Sequence, residues 1–592
     1  MAYTTQYIGS RYVPMFADPA EWDSTRTYEP LTIVLNGGNS YTSRQFVPVG
    51  VNLTNTDYWL ETGNFNAQVE AYRQEVITAL DKMPTITLAD YLNGASPNGK
   101  IVYIEKQYNN QEITFNGYSN FAIVGSNAID FVGSSSIKLI NCNSITIYNV
   151  AFANNITNSL VCNVTDSYNV TFIDCSMNNI VGNGIKMTNS TNMPITRNIS
   201  FYNCKFTDVN INENQSGGAI YCDGYGNLDP SSTSVSIKNQ IQYVYVIGCT
   251  FINAGLCAVF FGGANHCIIA NNICRTTNTA LTASMGLTSI NRQSSYITVV
   301  NNTIEYTKYE GIICAHANHV TIANNVIKNC RYSIEIERDS EYIYCSNNNC
   351  NMESNLFTIP TYAFGVQNSS NLYINGNVNH NQSRALIYTG TVDTVYIDGN
   401  TFNNGITYTS ENALSNIFYT NNKFSGDNKI CIGVVSGELI CKGNILIGQY
   451  FYYIYRNTTN NVNIVITDNY ISGQYVIDVT GIVRRDSNLH FYIGNNTAPY
   501  IISVFNKIGI SLQLNTYIVG DIKFKPNDCY NYWYDNHPIM IDCNKAEYTG
   551  DKLQYTEFKI GTVIFFNDCI AVVTRSGNAA TGATLQYASL PE

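Results

Sequence analysis

The ten residues Asn318-His319-Val320-Thr321-Ile322-Ala323-Asn324-Asn325-Val326-Ile327 decide the fold. Val320 and Ile322 are apolar and two apart, which puts them on one face of a strand, and Ile327 returns to that face after a pair of asparagines. With Val320 as position 0, equivalent anchors fall at Ile145, Val170, Ile199, Val244, Cys267, Ile297, Ile343, Leu372, Val395, Ile417, Leu439, Ile464 and Phe491. Most steps are roughly 22 to 30 residues, and the step from Ile199 to Val244 is longer. Position +2 is apolar or aromatic almost throughout, and position +7 often returns inward, as at Phe152, Phe206, Phe251, Ile304, Phe402 and Ile471. Position +5 reads Val150, Cys175, Cys204 and Cys249, then asparagine at Asn272, Asn302, Asn325, Asn348, Asn377, Asn400, Asn422, Asn444, Asn469 and Asn496. Asparagine tolerates the left-handed backbone region and bonds locally, so it suits a sharp bend between strands. One per coil stacks into an internal ladder.

A low-complexity polar tract would not hold apolar residues at two positions through so many turns. The expected fold class is therefore all-β, with a right-handed parallel β-helix over residues 110–505, right-handedness being the usual hand of parallel crossovers. Insertions interrupt the repeat at 205–240, including the loop from Asp223 to Ser236, and at 275–295. Long loops on such a wall commonly build a binding groove.

Composition narrows the function. Lys plus Arg total 32 against 43 Asp plus Glu, a formal charge of −11, so an anionic polymer such as nucleic acid is repelled on average. Charged residues are only 13% and aromatic ones 12%, the reverse of a disordered chain. The start, MAYTTQYIGS, does not read as a secretory signal, and no run approaches the ~20 apolar residues that span a bilayer. The expectation is synthesis in a reducing cytoplasm without membrane insertion. The 18 Cys are spread along the chain, many at alternating apolar positions, which reads as buried thiols. No spacing suits zinc, no acidic calcium cluster stands out, and no cofactor is expected.

The ends differ from the repeat. Residues 1–63 form a small β module with aromatics Trp22, Tyr28, Tyr41, Phe46 and Trp59, which read first as its core. Their spacing also resembles that of small carbohydrate-binding modules of chitinases. Residues 64–90 are expected to be a helical neck, in which Val69, Tyr72, Val76, Ala79 and Met83 follow the 3-4 spacing of a coiled-coil seam. The alternative is a helix capping the open end of the repeat. Residues 506–592 read as a separate C-terminal β domain, with a hairpin around Asn567-Asp568.

Polysaccharide hydrolysis needs two carboxyl groups, an acid and a base or nucleophile. Acids are scarce within the repeat, so Ser333-Ile334-Glu335-Ile336-Glu337-Arg338-Asp339 stands out. If Ile334 and Ile336 face the core, Glu335 and Glu337 project outward together, between Ile313 and Ala315 one coil earlier and Gly365 and Gln367 one coil later. Glu310 precedes the strand from Gly311 to Cys314, and Asp223 is expected to face outward where the long loop opens. His316, Arg331 and Arg338 would hold phosphate or carboxylate groups, and Tyr221 and Phe260 would stack on sugar rings. A serine triad finds no support, since there is no GxSxG elbow.

The repeated motif resembles the pectate-lyase-like β-helix superfamily. In polygalacturonase-like relatives, catalytic acids occupy a similar place before a strand, although their paired aspartates are replaced here by Tyr309-Glu310. The stretches Tyr7-Ile8-Gly9-Ser10-Arg11-Tyr12-Val13-Pro14, Gly38-Asn39-Ser40-Tyr41-Thr42-Ser43 and Gly63-Asn64-Phe65-Asn66-Ala67-Gln68-Val69-Glu70-Ala71-Tyr72-Arg73 resemble the N-terminal region of virion proteins from phages of Gram-positive hosts. That resemblance implies a homotrimeric tail appendage or tailspike, held to other tail proteins by its N-terminal module. It further implies recognition of a host surface glycan; teichoic acid or capsule is the expected ligand, and its hydrolysis is an expectation that rests on the acids above rather than on the resemblance. A non-catalytic virion adhesin and a cellular enzyme acting on pectin-like polymers are the alternatives.

Overall fold

In the computed structural model the anchors of the repeat are partners of one another across parallel ladders. Ile145 pairs with Val170, Val170 with Ile199 and Ile199 with Val244. The line resumes at Cys267 and runs through Ile297, Val320, Ile343, Leu372, Val395, Ile417, Leu439 and Ile464 to Phe491. Described residues are 20–64 and 74–472, less short gaps and the longer segments 210–217, 225–239, 276–284, 289–293, 353–359 and 455–461, together with strands beyond 472. They divide into two units, Met1–Met83 and Pro84–Glu592.

The second unit is a right-handed parallel β-helix. Each coil has three runs, as in Ala317–Ala323 followed by Val326–Glu337, a strand that turns a corner within itself. Positions 0, +2 and +7 fill one continuous apolar core; Val320, Ile322 and Ile327 are fully buried. The cysteines whose side chains are described are buried, all but Cys257 in that core, and burial raises the thiols of Cys175, Cys204, Cys267 and Cys314.

The two jobs assigned to the asparagine at +5 are in fact divided between neighbours. The left-handed bend lies at +4, in Asn271, Asn301, Asn324, Asn347, Asn421 and Asp468, or in Gly248, Gly376, Gly399 and Gly443. The +5 asparagine points inward and is buried from Asn272 to Asn469. Each Nδ2 donates to the Oδ1 of the next coil's asparagine at 2.9 to 3.0 Å. Its second hydrogen goes to a carbonyl of the preceding coil, as Asn348 does to Ile322. Each Oδ1 also accepts the backbone N–H of the preceding asparagine. An amide has two donors and two lone pairs, and all four are used inside the core. In the earlier coils the thiols of Cys175, Cys204 and Cys249 donate to carbonyls one coil back, at 3.4 to 3.7 Å. Asn496 lies outside the described residues.

The stack is longer than the expected 110–505. It begins with Thr85–Thr87 paired to Ile101–Tyr103, and Phe121 pairs with Ile145. Beyond Phe491, Leu512 and then Trp533 continue the anchor line. Those coils lack Asn or Cys at +5, so the count from sequence stopped short. Residues 506–592 are therefore partly coil, and a separate five-stranded sheet follows. In it Val563–Phe565 and Cys569–Arg575 pair antiparallel, as the hairpin signal at Asn567-Asp568 suggests.

The first unit holds a four-stranded sheet over a core of Tyr28, Val34, Val47, Leu53 and Trp59. Tyr28 and Trp59 meet edge to face at 5.2 Å, so these two aromatics serve the interior. The stretch Tyr7 to Pro14, and Val69 and Tyr72 of the expected neck, lie outside the described residues. Residues 74–80 are helical, but the neck does not run to residue 90 as one helix. Thr85–Thr87 is a strand, and a separate short helix, Leu88–Leu92, is capped by Thr87 and Asp90.

Candidate functional site

The strand Val326–Glu337 pairs with Thr303–Ala315 before it and Tyr362–Asn375 after it. Alternation sends Ile334 and Ile336 into the core, fully buried, and leaves Glu335 and Glu337 outward. Glu335 sits between Ile313 and Gly365, and Glu337 beside Ala315. Gly365 keeps the approach open, because a Cβ there would lie 3.0 Å from Tyr332 and 3.4 Å from the Glu335 Cγ.

Glu310 joins them. The ladder is irregular between Thr307 and Glu310, and past that break Glu310 lies beside Tyr332 and is hydrogen-bonded to the Glu335 carboxyl. Burial, then the charges of Glu310 and Glu337, push Glu335 up to about 8; the Arg331 guanidinium opposes this. Burial also raises Glu310, while the bond from Glu335 acts the other way. Two carboxyls in contact cannot both ionise cheaply, so they share a proton, carried by Glu335 at neutral pH. Glu337 is paired with Arg338, Nε to Oε1, at 3.0 Å. Arg331 lies over the Tyr332 ring at 5.0 Å, and its buried Nε finds no hydrogen-bond partner among the described residues. Tyr332 stacks on Tyr362 at 5.2 Å, a platform beside the acids that the sequence reading did not single out.

The other expected residues fall in different places. His316 occupies the left-handed bend after Ala315, where Asp339, Arg338 and Glu337 act on it, and burial lowers its pKa. Asp223 is a correction: it is buried rather than facing solvent, and the Lys186 Nζ binds it at 3.1 Å. Lys186 also lies over Tyr221 at 5.2 Å, and Tyr221 meets Phe260 edge to face at 5.1 Å. Tyr221 and Phe260 stand in the Glu335 column through Gly286 and Ile313. At ~4.8 Å per coil they are roughly 19 and 14 Å from Glu335. The long loop 225–239 lies outside the described residues. Among the described residues no group of His, Cys, Asp and Glu could hold a metal ion, and no helix is long and apolar enough to cross a membrane.

A right-handed parallel β-helix with clustered carboxyls on one wall is the class these observations define. Residues 233–402 match the family described as right handed beta helix region. No curated protein matches the chain. Among solved structures it is similar to a PL6 family alginate lyase, at 12% identity and TM-score 0.34, over 77% of this chain and 85% of that one. An exopolygalacturonase from Thermotoga maritima gives 11% and 0.28, over 71% and 92%. The Dettilon tailspike protein gives 12% and 0.25, over 71% and 65%. Similarity this low carries no argument about activity, and the fold stands on the coil-to-coil register.

Proposed function

We propose that the chain is a glycan-cleaving spike, a phage tail appendage that recognises a host surface polysaccharide and hydrolyses it. The observation that carries the catalytic part is the hydrogen-bonded Glu310–Glu335 pair, with Glu335 protonated near neutrality beside the Arg338-paired Glu337. Glu335 gives its proton to the glycosidic oxygen as the anomeric bond breaks, and Glu310 keeps that proton in place until then. Glu337 takes a proton from the attacking water. Alternate residues on a strand face are about 6.6 Å apart, near the short end of the spacing of inverting glycosidases. Tyr332 and Tyr362 flank the reacting sugar, and Arg331 steadies an anionic substituent.

The phage part rests on the resemblance of the N-terminal stretches. On that reading the first unit attaches to other tail proteins, the spike is a homotrimer assembled in the host cytoplasm, and its ligand is teichoic acid or capsule.

The test is to incubate the purified protein with wall polysaccharide from Gram-positive hosts and measure new reducing ends. Loss of a positioned general acid costs about 10²–10⁴-fold. Glu335→Gln is therefore expected to lower the rate at least 100-fold while leaving glycan binding intact. An unchanged rate removes the assignment. Binding without turnover in the wild-type chain favours the adhesin instead.

A further inference from the structure

A different wall of the coils carries a second constellation. At position −1 seven coils place a small polar residue in the left-handed region: Asn120, Ser144, Asn169, Asn198, Asn371, Thr394 and Asn416. Five consecutive coils do not. There the position holds Tyr243, His266, Tyr296, His319 and Tyr342, with φ between 53° and 58°. A bulky residue in that region is an outlier and costs about 1–2 kcal/mol. The five rings stack in alternation, Tyr on His on Tyr, with centroids 4.8 to 5.4 Å apart. Stacking alone does not require this position. Tyr344, Tyr373, Tyr396 and Phe418 form an equally close ladder at +1, at 4.7 to 5.0 Å, on ordinary backbone.

What sets the five coils apart is the neighbouring column. At +1 they carry Tyr245 in the first coil and Tyr344 in the last, with only Ile268, Thr298 and Thr321 between. The result is a trough of about 500 Å³, within the ~300–1,000 Å³ typical of small-ligand sites. The edges of the Tyr/His ladder wall one side, and Ile268, Thr298 and Thr321 form the floor. Tyr344 spends one ring face on Tyr373 and turns the other toward Thr321. Tyr245 closes the opposite end, roughly 19 Å away at ~4.8 Å per coil.

We propose that this trough binds a neutral oligosaccharide, in a subsite separate from the glutamates. Among the described residues no Asp, Glu, Lys or Arg lines it, so apart from the imidazoles of His266 and His319 it offers no charge to a phosphate- or carboxylate-bearing polymer. Phenol hydroxyls, imidazole nitrogens and threonine hydroxyls supply hydrogen bonds in coil after coil. Ring faces at the ends and an apolar patch on the floor take C–H surface. That alternation matches a pyranose, which is apolar on its faces and polar at its rim. The closed ends select a short segment rather than an endless chain. The proposal does not depend on the acid cluster.

The test uses the full chain carrying Glu335→Gln, which removes the proposed general acid, and titrates it calorimetrically with chito- and malto-oligosaccharides of increasing length. Polygalacturonate serves as the charged control. A neutral series is expected to bind with affinity that rises with length to a plateau. Thr321→Trp fills the trough and Tyr344→Ala removes its end wall; each is expected to weaken binding at least tenfold with an unchanged thermal midpoint. The proposal is overturned if no neutral series binds, if both variants bind as the parent does, or if polygalacturonate binds better than every neutral series. It is equally overturned if the substitutions change the particle mass in light scattering rather than the affinity, which would make the wall a contact between copies.

Discussion

Asn348 uses every bond its amide can make. Its Oδ1 accepts the backbone N–H and the Nδ2 of Asn325, and its Nδ2 donates to the Ile322 carbonyl and to Asn377 Oδ1. Replacing it by leucine keeps the apolar volume but leaves buried partners unsatisfied on both neighbouring coils, at about 1–3 kcal/mol for each group. Asn348→Leu is therefore expected to cost at least about 2 kcal/mol. The measurement is a denaturant midpoint beside that of the exposed control Ile273→Ala; equal midpoints would mean that the ladder contributes nothing. The same residue marks what a sequence can disclose. An invariant spacing shows that a column exists, but not which of two adjacent asparagines, Asn347 or Asn348, bends the chain and which faces inward. That follows from backbone geometry, because only the +4 residue has a positive φ.

Within one coil, legibility depended on unbroken register. Counting alone places Ile313 and Gly365 around Glu335, and the ladder has them there. Glu310 reads in sequence as a lone candidate because the irregularity after Thr307 hides its distance from Glu335. The outward reading of Asp223 fails because nothing in its own strand shows that Lys186, one coil earlier, reaches over to bind it. The site that results has a pH signature. Glu335 titrates near 8 when folded, against an ordinary value of 4.5, so the folded chain holds this proton more tightly than the unfolded one. Its stabilising effect is complete below about 4.5 and is lost as pH rises through about 8. The thermal midpoint is therefore expected to fall between pH 5 and pH 8, and Glu335→Gln is expected to flatten that fall and raise the midpoint at pH 8. Differential scanning calorimetry at several pH values checks it; a wild-type curve that stays level, or a slope kept in the variant, would place the proton elsewhere. Hydrolysis that needs the same proton declines above about pH 8, and a decline that instead begins near pH 5 would point to a different acid.

For the β-helix as a whole, stability is a sum over coils and their nearest neighbours, since each coil touches only the one before and the one after. Such a stack can lose one complete coil if the register on either side still matches. Residues 439–463 make up a coil distant in register from the glutamates and from the aromatic trough. Leu439 pairs with Ile417 before it and Ile464 after it. With 439–463 deleted, Ile464 would pair with Ile417 and Ile466 with Tyr419. Asn469 would take the Asn422 bonds that Asn444 now receives, and would donate to the Tyr419 carbonyl as Asn444 does. On the third run, Ile477 would replace Tyr452 beside Ile430. The deleted chain is expected to fold, keep its strand circular-dichroism signal, and release reducing ends within about threefold of the full chain, because additive repeats lose only one interface term. Removing 439–450 instead shifts every following position off its column and turns apolar residues outward, so that chain is expected to be insoluble. If both deletions behave alike, the coil is not the unit in which this molecule is built, and a site placed by counting columns has no basis.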